Sequence, residues 1–141
     1  FYCDQALTVP SDSRDKADQT NFTGGLSWIN AMQPITYKWD KRAWYCDRET
    51  TTTPAEVLAV VPDGTHKKNS LEIGLLAQDI LAIEQANGYG SNNDTSLMVD
   101  LAADETAYGL TYEKLIPVLI SAIKELSAKN DALEARIATL E

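Results

Sequence analysis

The last part of the chain repeats every seven residues, and this repeat constrains the fold more than any other feature of the sequence. Leucine recurs at one core position, d in the heptad abcdefg, while isoleucine and a single asparagine recur at position a. These a and d residues are Ile116, Leu119, Ile123, Leu126, Asn130, Leu133, Ile137 and Leu140. An apolar period of about 3.5 residues is typical of a coiled coil. We therefore expect a long C-terminal helix whose apolar seam is buried by partner chains.

The charged residues beside this seam indicate the orientation of the partner helices. Lys129 at position g would face Glu134 at the following e position of a partner, and Arg136 would face Glu141 in the same way. Such pairs form between parallel helices in register, so we expect a parallel coiled coil. The pattern of a and d residues is compatible with several oligomeric states and does not fix the number of chains. In the alternative interpretation, the tail packs back on its own domain.

The residues before the tail predict a small mixed domain of the α+β class. Residues 35–46 are rich in β-branched and aromatic side chains and predict a strand. Residues 55–64 predict a second strand that ends in a Pro-Asp-Gly turn. Together they predict a β-hairpin or arm over residues 35–64, with two alternatives for Trp39 and Trp44. Either these side chains are exposed on an arm, or they belong to an ordinary sheet core.

Shorter elements are predicted on both sides of this hairpin. Leu26, Ile29 and Met32 have near-helical spacing and predict a helix, with Thr23 as its candidate N-cap and Pro34 as its stop. The other expected elements are short strands at residues 71–73 and 97–101, a helix through Leu76, Ile80 and Ile83 closed by Asn87 and Gly88, a loop over residues 103–109, and an extended segment at residues 1–10.

The charge balance argues against several classes of partner. Lys and Arg number 12 against 21 Asp and Glu, which gives a net charge of −9. Such an acidic surface repels phosphate, so we expect no nucleic-acid partner and no membrane partner. Cys3 and Cys46 lack the spacing of a zinc site and predict free thiols. The sequence has neither a phosphate-binding loop nor EF-hand spacing, and we expect no cofactor and no metal.

One short polar segment carries groups that could perform chemistry. Ser11 and Lys16 lie five residues apart, with Asp12 and Arg14 between them. Judged on residue types alone, a structural role is the more common one, in which Ser11 or Ser13 caps a helical turn and the charged residues form a solvated ion cluster. The chemical alternative is a serine nucleophile that is activated by a lysine base. A free lysine has a pKa of about 10.4, so such a base needs a site that excludes water.

The chain resembles the S74 peptidase family in four blocks that occur in the same order. The blocks are "SDSRDK", "GLSWINAMQPITYKWDKR", "IGLLAQDI" and "LTYEKLIPVLISAIKEL", and a coiled-coil tail follows them. This family is the C-terminal intramolecular chaperone domain of bacteriophage tail spikes, tail fibres and neck appendages. The resemblance covers about residues 11–141. Many members have Asn-Ile shortly after the lysine, whereas Ala17-Asp18-Gln19 follows it here.

The resemblance implies a site and a reaction for the polar segment. Ser11 and Lys16 match the family's catalytic Ser–Lys dyad, and Asp12 and Arg14 match the acidic and basic residues that recur between them. The family cuts its own chain just before the serine, so the scissile bond would join Pro10 to Ser11. The chain would then be a self-cleaving serine endopeptidase that acts once, on itself.

The resemblance also implies an organisation and a biological setting. Residues 1–10 would be the end of an upstream fibre or spike, residues 11–110 the globular chaperone, and residues 111–141 the coiled-coil helix. The partners would be two further copies, forming a homotrimer, and the chain's own upstream β-shaft. The domain would act in the host cell cytoplasm during phage assembly, while the parent protein ends in the virion tail.

Two alternatives to self-cleavage remain open from the sequence. The first is a non-catalytic C-terminal trimerisation and interaction module in which Ser11 only caps a turn. The second, weaker one is a Ser–Lys hydrolase that acts on other proteins. Under the leading hypothesis Arg14 engages Asp12, and Lys16 loses its water only when three domains associate. Cleavage would then report that assembly is complete.

Overall fold

The computed structural model describes residues 8–141, and short helices and strands alternate along most of this range. The prediction of an extended segment at residues 1–10 lies mostly outside the described residues, as does Cys3. The elements are α1 (Leu26–Ala31), β1 (Ile35–Tyr37), α2 (Pro54–Ala59), β2 (Glu72–Gly74), α3 (Ala77–Ala86), β3 (Val99–Leu101), β4 (Tyr108–Leu110) and α4 (Leu115–Leu140). Single 3-10 turns occur at Ser13–Asp15, Arg42–Trp44 and Tyr112–Lys114.

The strands form two small antiparallel sheets. Strand β1 pairs with β2, with Ile35 opposite Gly74, and β3 pairs with β4, with Val99 opposite Leu110. The predicted strands near residues 71–73 and 97–101 are therefore confirmed. Strand β4 overlaps residues 103–109, which are predicted as a loop, because Gly109 at its centre has a low strand propensity. The mixed α and β architecture of the domain is as expected.

The predicted hairpin over residues 35–64 is wrong. The first half of its second strand, residues 55–59, belongs to helix α2. This helix starts with a capping box: the Thr53 hydroxyl accepts a hydrogen bond from the Glu56 backbone N–H, and the Glu56 carboxylate accepts one from the Thr53 N–H. Pro54 occupies the first helical turn, where its missing N–H is tolerated. These start signals outweigh the β propensity of the valines that follow. The first strand, β1, ends at Tyr37 and pairs with β2 instead.

The two tryptophans of this region fit neither a hairpin arm nor a sheet core. Trp39 is 43% exposed and packs edge-on against Tyr37, with ring centroids 5.1 Å apart. The Lys41 ammonium lies 4.5 Å from the centre of the Trp39 ring, and Trp44 is half-buried between Lys41 and Lys68. Cation–π contacts of this kind hold the segment between β1 and α2 together at the surface.

The hydrophobic core joins three helices to one sheet. Its buried members are Trp28 of α1, Ile80 of α3, Met98 beside β3, Val99 of β3, and Val118 of α4. The prediction of helix α3 with Ile80 on its apolar face is confirmed, and so is its end at Asn87 and Gly88. The expected cap of α1 by Thr23 is wrong. Gly25 occupies the cap position, and the Leu26 N–H donates to Glu125 on α4.

A fully buried carboxylate fixes the loop that follows α3. Glu84 accepts hydrogen bonds from the Ser96 hydroxyl at 2.8 Å, the Leu97 N–H at 3.0 Å and the Met98 N–H at 2.7 Å. Buried carboxylates need such donors to offset the loss of water. Gly90 passes close beside this carboxylate with a φ of +68°, a conformation that favours glycine.

We predict that Gly90→Ala destabilises the fold more than Gly88→Ala. Both glycines have positive φ, so each alanine costs about 1–2 kcal/mol of backbone strain. A Cβ at Gly90 would also lie 2.9 Å from Leu81 Cδ1, whereas a Cβ at Gly88 meets nothing within 4 Å. Overpacking adds roughly 1–3 kcal/mol, and the difference is measured as free energies of unfolding in urea. Equal losses for the two variants would contradict this packing.

Helix α4 uses two different faces. Val118 and Ala122 are buried, and the helix makes its main contact with α1. The a and d side chains lie on another face and are exposed, with Ile123 at 65% and Leu133 at 54%. Every residue from Ile123 to Glu141 is exposed, which contradicts the alternative that the seam packs back on its own domain. Among the described residues, no helix is long and apolar enough to cross a membrane.

Candidate functional site

The segment Ser11–Lys16 folds as a single capped turn. Asp12 has extended backbone geometry and precedes the 3-10 turn Ser13–Asp15, and its carboxylate accepts the Arg14 N–H at 2.9 Å. Asp12 is therefore the N-cap, and the alternative in which Ser11 or Ser13 caps the turn is wrong. The cap leaves the hydroxyl of Ser11 available for another partner.

The available partner of Ser11 is Lys16. The Lys16 ammonium, at Nζ, donates a hydrogen bond to Ser11 Oγ, and the two atoms are 2.7 Å apart. This distance is within the range across which a base can take a proton from a nucleophile. Both residues are exposed in the single chain. The turn thus brings together the two residues that the sequence analysis singled out, five positions apart.

Asp12 and Arg14 form an ion pair beside this contact. The Arg14 guanidinium donates to both carboxylate oxygens of Asp12, with its Nη2 2.6 Å from Oδ2. This side-chain bond and the backbone bond from Arg14 hold the pKa of Asp12 below its ordinary value, and the same pairing raises the pKa of Arg14. The nearest acidic neighbour of Ser11 in sequence is thereby paired with the guanidinium. An unpaired carboxylate would favour the charged form of a nearby amine.

We predict that Arg14→Ala raises the pKa of Asp12 toward the ordinary value for an aspartate. A depressed carboxyl pKa stabilises the folded turn above the ordinary pKa, and this contribution disappears as the pH falls through the folded value. Carboxyl carbon NMR titration measures the shift. Arg48→Ala removes a guanidinium elsewhere and should leave Asp12 unchanged. An Asp12 midpoint that is identical in all three proteins would contradict the ion pair.

A carboxylate on α4 anchors the chain downstream of the turn. Glu125 Oε2 accepts the Leu26 N–H at 2.9 Å at the start of α1, and Lys129 lies 3.1 Å from the other oxygen of Glu125. The hydrogen bond from the Leu26 N–H and, to a smaller extent, the contact with Lys129 lower the pKa of Glu125. The sequence analysis missed this role of Glu125 because its partner is 99 residues away. The contact joins the start of α1 to α4.

A separate apolar cleft lies between the two sheets. It has a volume of about 550 Å³, and its lining includes Tyr37, Trp39, Leu76, Tyr108 and Tyr112. The Tyr112 hydroxyl accepts the Leu75 N–H at 2.9 Å, which joins two of the lining residues. None of the lining residues belongs to the turn around Ser11, so the cleft is not part of the Ser–Lys arrangement.

The described residues offer no obvious metal centre. Within residues 8–141, no group of three or more His, Cys, Asp or Glu side chains is placed to hold a metal ion. Cys46 is a free, half-buried thiol, and its Sγ lies 3.4 Å from the carbonyl oxygen of Arg42.

Comparison with known proteins identifies one family. The family model Peptidase_S74, described as chaperone of endosialidase, matches residues 11–89. The match begins at Ser11 and covers more than half of the chain, including α1, α2 and α3. It stops before α4. No curated protein matches the chain at a significant level, and no solved structure does either.

Proposed function

The chain belongs to the Peptidase_S74 family, chaperone of endosialidase, and from this membership we propose an intramolecular chaperone that removes itself by cutting the bond between Pro10 and Ser11. The single observation that carries the cleavage proposal is the 2.7 Å contact between Lys16 Nζ and Ser11 Oγ. Ser11 is the nucleophile and Lys16 the base, while Asp12 and Arg14 shape the turn. The chain's enzymatic activity is then a single turnover on itself.

The reaction follows from the position of the nucleophile on the C-terminal side of the bond. A neutral Lys16 amine takes the hydroxyl proton as Ser11 Oγ attacks the carbonyl carbon of Pro10. A new C–O bond forms and the C–N bond between Pro10 and Ser11 breaks, while the ammonium returns its proton to the departing nitrogen. The resulting ester is hydrolysed by water. The products are a carboxylate at Pro10 and a Ser11 with a free amino group and hydroxyl.

Assembly supplies the neutral amine in this proposal. A lysine in water keeps its proton, since its ordinary pKa is about 10.4, and residues 11–20 are all exposed in the single chain. Burial between chains removes water and disfavours the charged form. Cleavage would therefore follow trimerisation, and an unassembled chain would keep its upstream segment.

The exposed face of α4 supports the proposed parallel homotrimer. Seven of its eight a and d residues are apolar, and burying each contributes roughly 1.5–3 kcal/mol. Within one chain, Lys129 pairs with Glu125, and the Asn130 amide donates to Glu134 at 3.0 Å. The predicted pairs between chains, such as Lys129 with Glu134, would replace these local contacts. The number three comes from the resemblance stated above.

The proposed client is the chain's own upstream β-shaft. Interwound β-shafts have few local contacts and form slowly, because three chains must meet in register before pairing is rewarded. A coiled coil forms from local contacts and raises the effective concentration of the three shaft ends. Cleavage afterwards leaves a shaft that is protected by its unfolding barrier. We place this event in the host cell cytoplasm during phage assembly, with the parent protein in the virion tail.

We predict that Ser11→Ala and Lys16→Ala each prevent cleavage of the longer parent protein. Intact mass spectrometry should show two fragments that separate between Pro10 and Ser11 for the unaltered protein, and one full-length chain for each variant. Ser13→Ala and Lys67→Ala are matched controls that leave the Ser11–Lys16 contact intact, and they should be cut like the parent. An unaltered parent protein that remains uncleaved would refute the proposal.

We further predict that cleavage depends on the coiled-coil seam. Leu133→Asp places a charge at a d position and should yield monomers that do not cut themselves, whereas Ala135→Asp adds the same charge at the outer f position and should change neither property. Sedimentation measures the oligomeric state, and the rate of self-cleavage is measured over a range of protein concentrations. A cleavage rate that is the same for monomer and oligomer would refute assembly control.

The second candidate function is a non-catalytic trimerisation and interaction module. The exposure of both Ser11 and Lys16 favours it, because an exposed lysine is a weak general base. In that case the assembled parent protein stays uncut, and Ser11→Ala changes nothing. Leu133→Asp would still be a monomer, and Ala135→Asp would still form the oligomer.

A further inference from the structure

The side chain of Gln19 folds back onto the turn that carries Ser11 and Lys16. Its amide nitrogen Nε2 lies 2.9 Å from the carbonyl oxygen of Ser13 and 3.1 Å from that of Lys16. Both partners are carbonyl oxygens, which only accept hydrogen bonds, so the amide presents its NH2 group to the turn. One side chain thus bridges the beginning and the end of the turn.

The backbone before Gln19 makes this return possible. Asp18 has a φ of +48°, in the left-handed region that aspartate and asparagine tolerate better than most residues. The chain reverses there and brings Gln19 back to the turn. Ala17 and Asp18 separate Gln19 from the lysine, so the residue that makes the bridge lies three positions after Lys16.

The Gln19 bridge holds the backbone of Lys16 from its carbonyl side. The Lys16 N–H donates to Ser13 O at 3.3 Å, which is long for a hydrogen bond, and this is the bond that closes the turn. Gln19 reinforces it by binding the same Ser13 oxygen and the Lys16 oxygen together. Because the N–H and the C=O of Lys16 are both hydrogen-bonded, its backbone has fewer conformations in which Nζ lies out of reach of Ser11 Oγ.

We propose that Gln19 is a positioning residue for the Ser11–Lys16 pair, and this inference rests on the self-cleavage proposed above. Gln19 does not touch the reacting atoms. It acts through the backbone of Lys16 and keeps Nζ within hydrogen-bond reach of Ser11 Oγ. In well-oriented catalysis a displacement of about 1 Å lowers the rate by roughly a hundredfold, so loss of the bridge should slow cleavage and leave the fold intact.

The test compares two replacements of similar length. Gln19→Met is uncharged and has no donor, and we expect cleavage of the assembled parent protein to slow by roughly ten- to hundredfold. Gln19→Lys restores a donor at the end of a flexible chain and should recover part of the rate. Gln33→Met is the control, because it removes an exposed amide just after the C-terminal end of α1. This variant should cleave itself at the unaltered rate. The readout is the rate at which the two fragments appear in intact mass spectra.

Two further measurements separate positioning from general loss of structure. Melting temperature and oligomeric state should be the same for Gln19→Met and the unaltered protein, since residues 11–20 are exposed. The pH at which cleavage is half-maximal should also stay in place, because positioning changes the rate at every pH by one factor. A lower melting temperature for Gln19→Met, or a shift in the pH at which its cleavage is half-maximal, would overturn the inference.

Failure of this inference is distinguishable from failure of the proposed function. If the unaltered protein cuts itself, Lys16→Ala does not, and Gln19→Met matches the unaltered rate, then only the role of Gln19 is refuted. If Gln19→Lys is as slow as Gln19→Met, the donor is not what matters and the inference also falls. If the unaltered assembled protein never cuts, the self-cleavage proposal is refuted and the inference falls with it.

Discussion

The structure depends on the two faces of α4, of which one is buried and the other is exposed. One stripe, with Val118 and Ala122, is buried and faces α1 of the same chain, while the stripe with Ile123 and Leu126 stays exposed. Because the stripes do not overlap, the core of the domain closes within one chain and the apolar seam remains available to others. Association can therefore add to a folded domain and does not have to create it.

The same helix is tied to the segment that carries Ser11. The carboxylate of Glu125 receives the first N–H of α1, and its lowered pKa means that this bond weakens only at acidic pH, as the pH falls through the folded value. Leu26 follows Lys16 by ten residues, which span at most about 35 Å, so this contact sets an outer limit on the distance between the turn and α4.

Sequence reasoning succeeded where a signal was long or local, and it failed where a partner was distant. Helices α3 and α4 have clear apolar periods and are predicted from them. Ser11 and Lys16, whose side chains meet across one turn, are singled out by the family resemblance, since their residue types alone favour a structural role. The β propensity of the valines after Pro54 predicts a strand, but Thr53, Pro54 and Glu56 form a helix start, and the segment folds as α2. The pairing of β1 with β2 and the burial of Glu84 depend on backbone groups far along the chain, which no local pattern reveals.

Geometry and proton affinity have separate origins in the proposed reaction. The contacts that place Lys16 beside Ser11 all lie within residues 11–19: the Asp12 cap, the Arg14 ion pair and the Gln19 bridge. Local contacts of this kind form early, in every chain, and need no partner. They cannot exclude water, since each of these residues is exposed. Under the proposed function, a chain would carry an aligned but inactive pair while its shaft is still unfolded, and only the later burial of that pair by other chains would make the lysine a base.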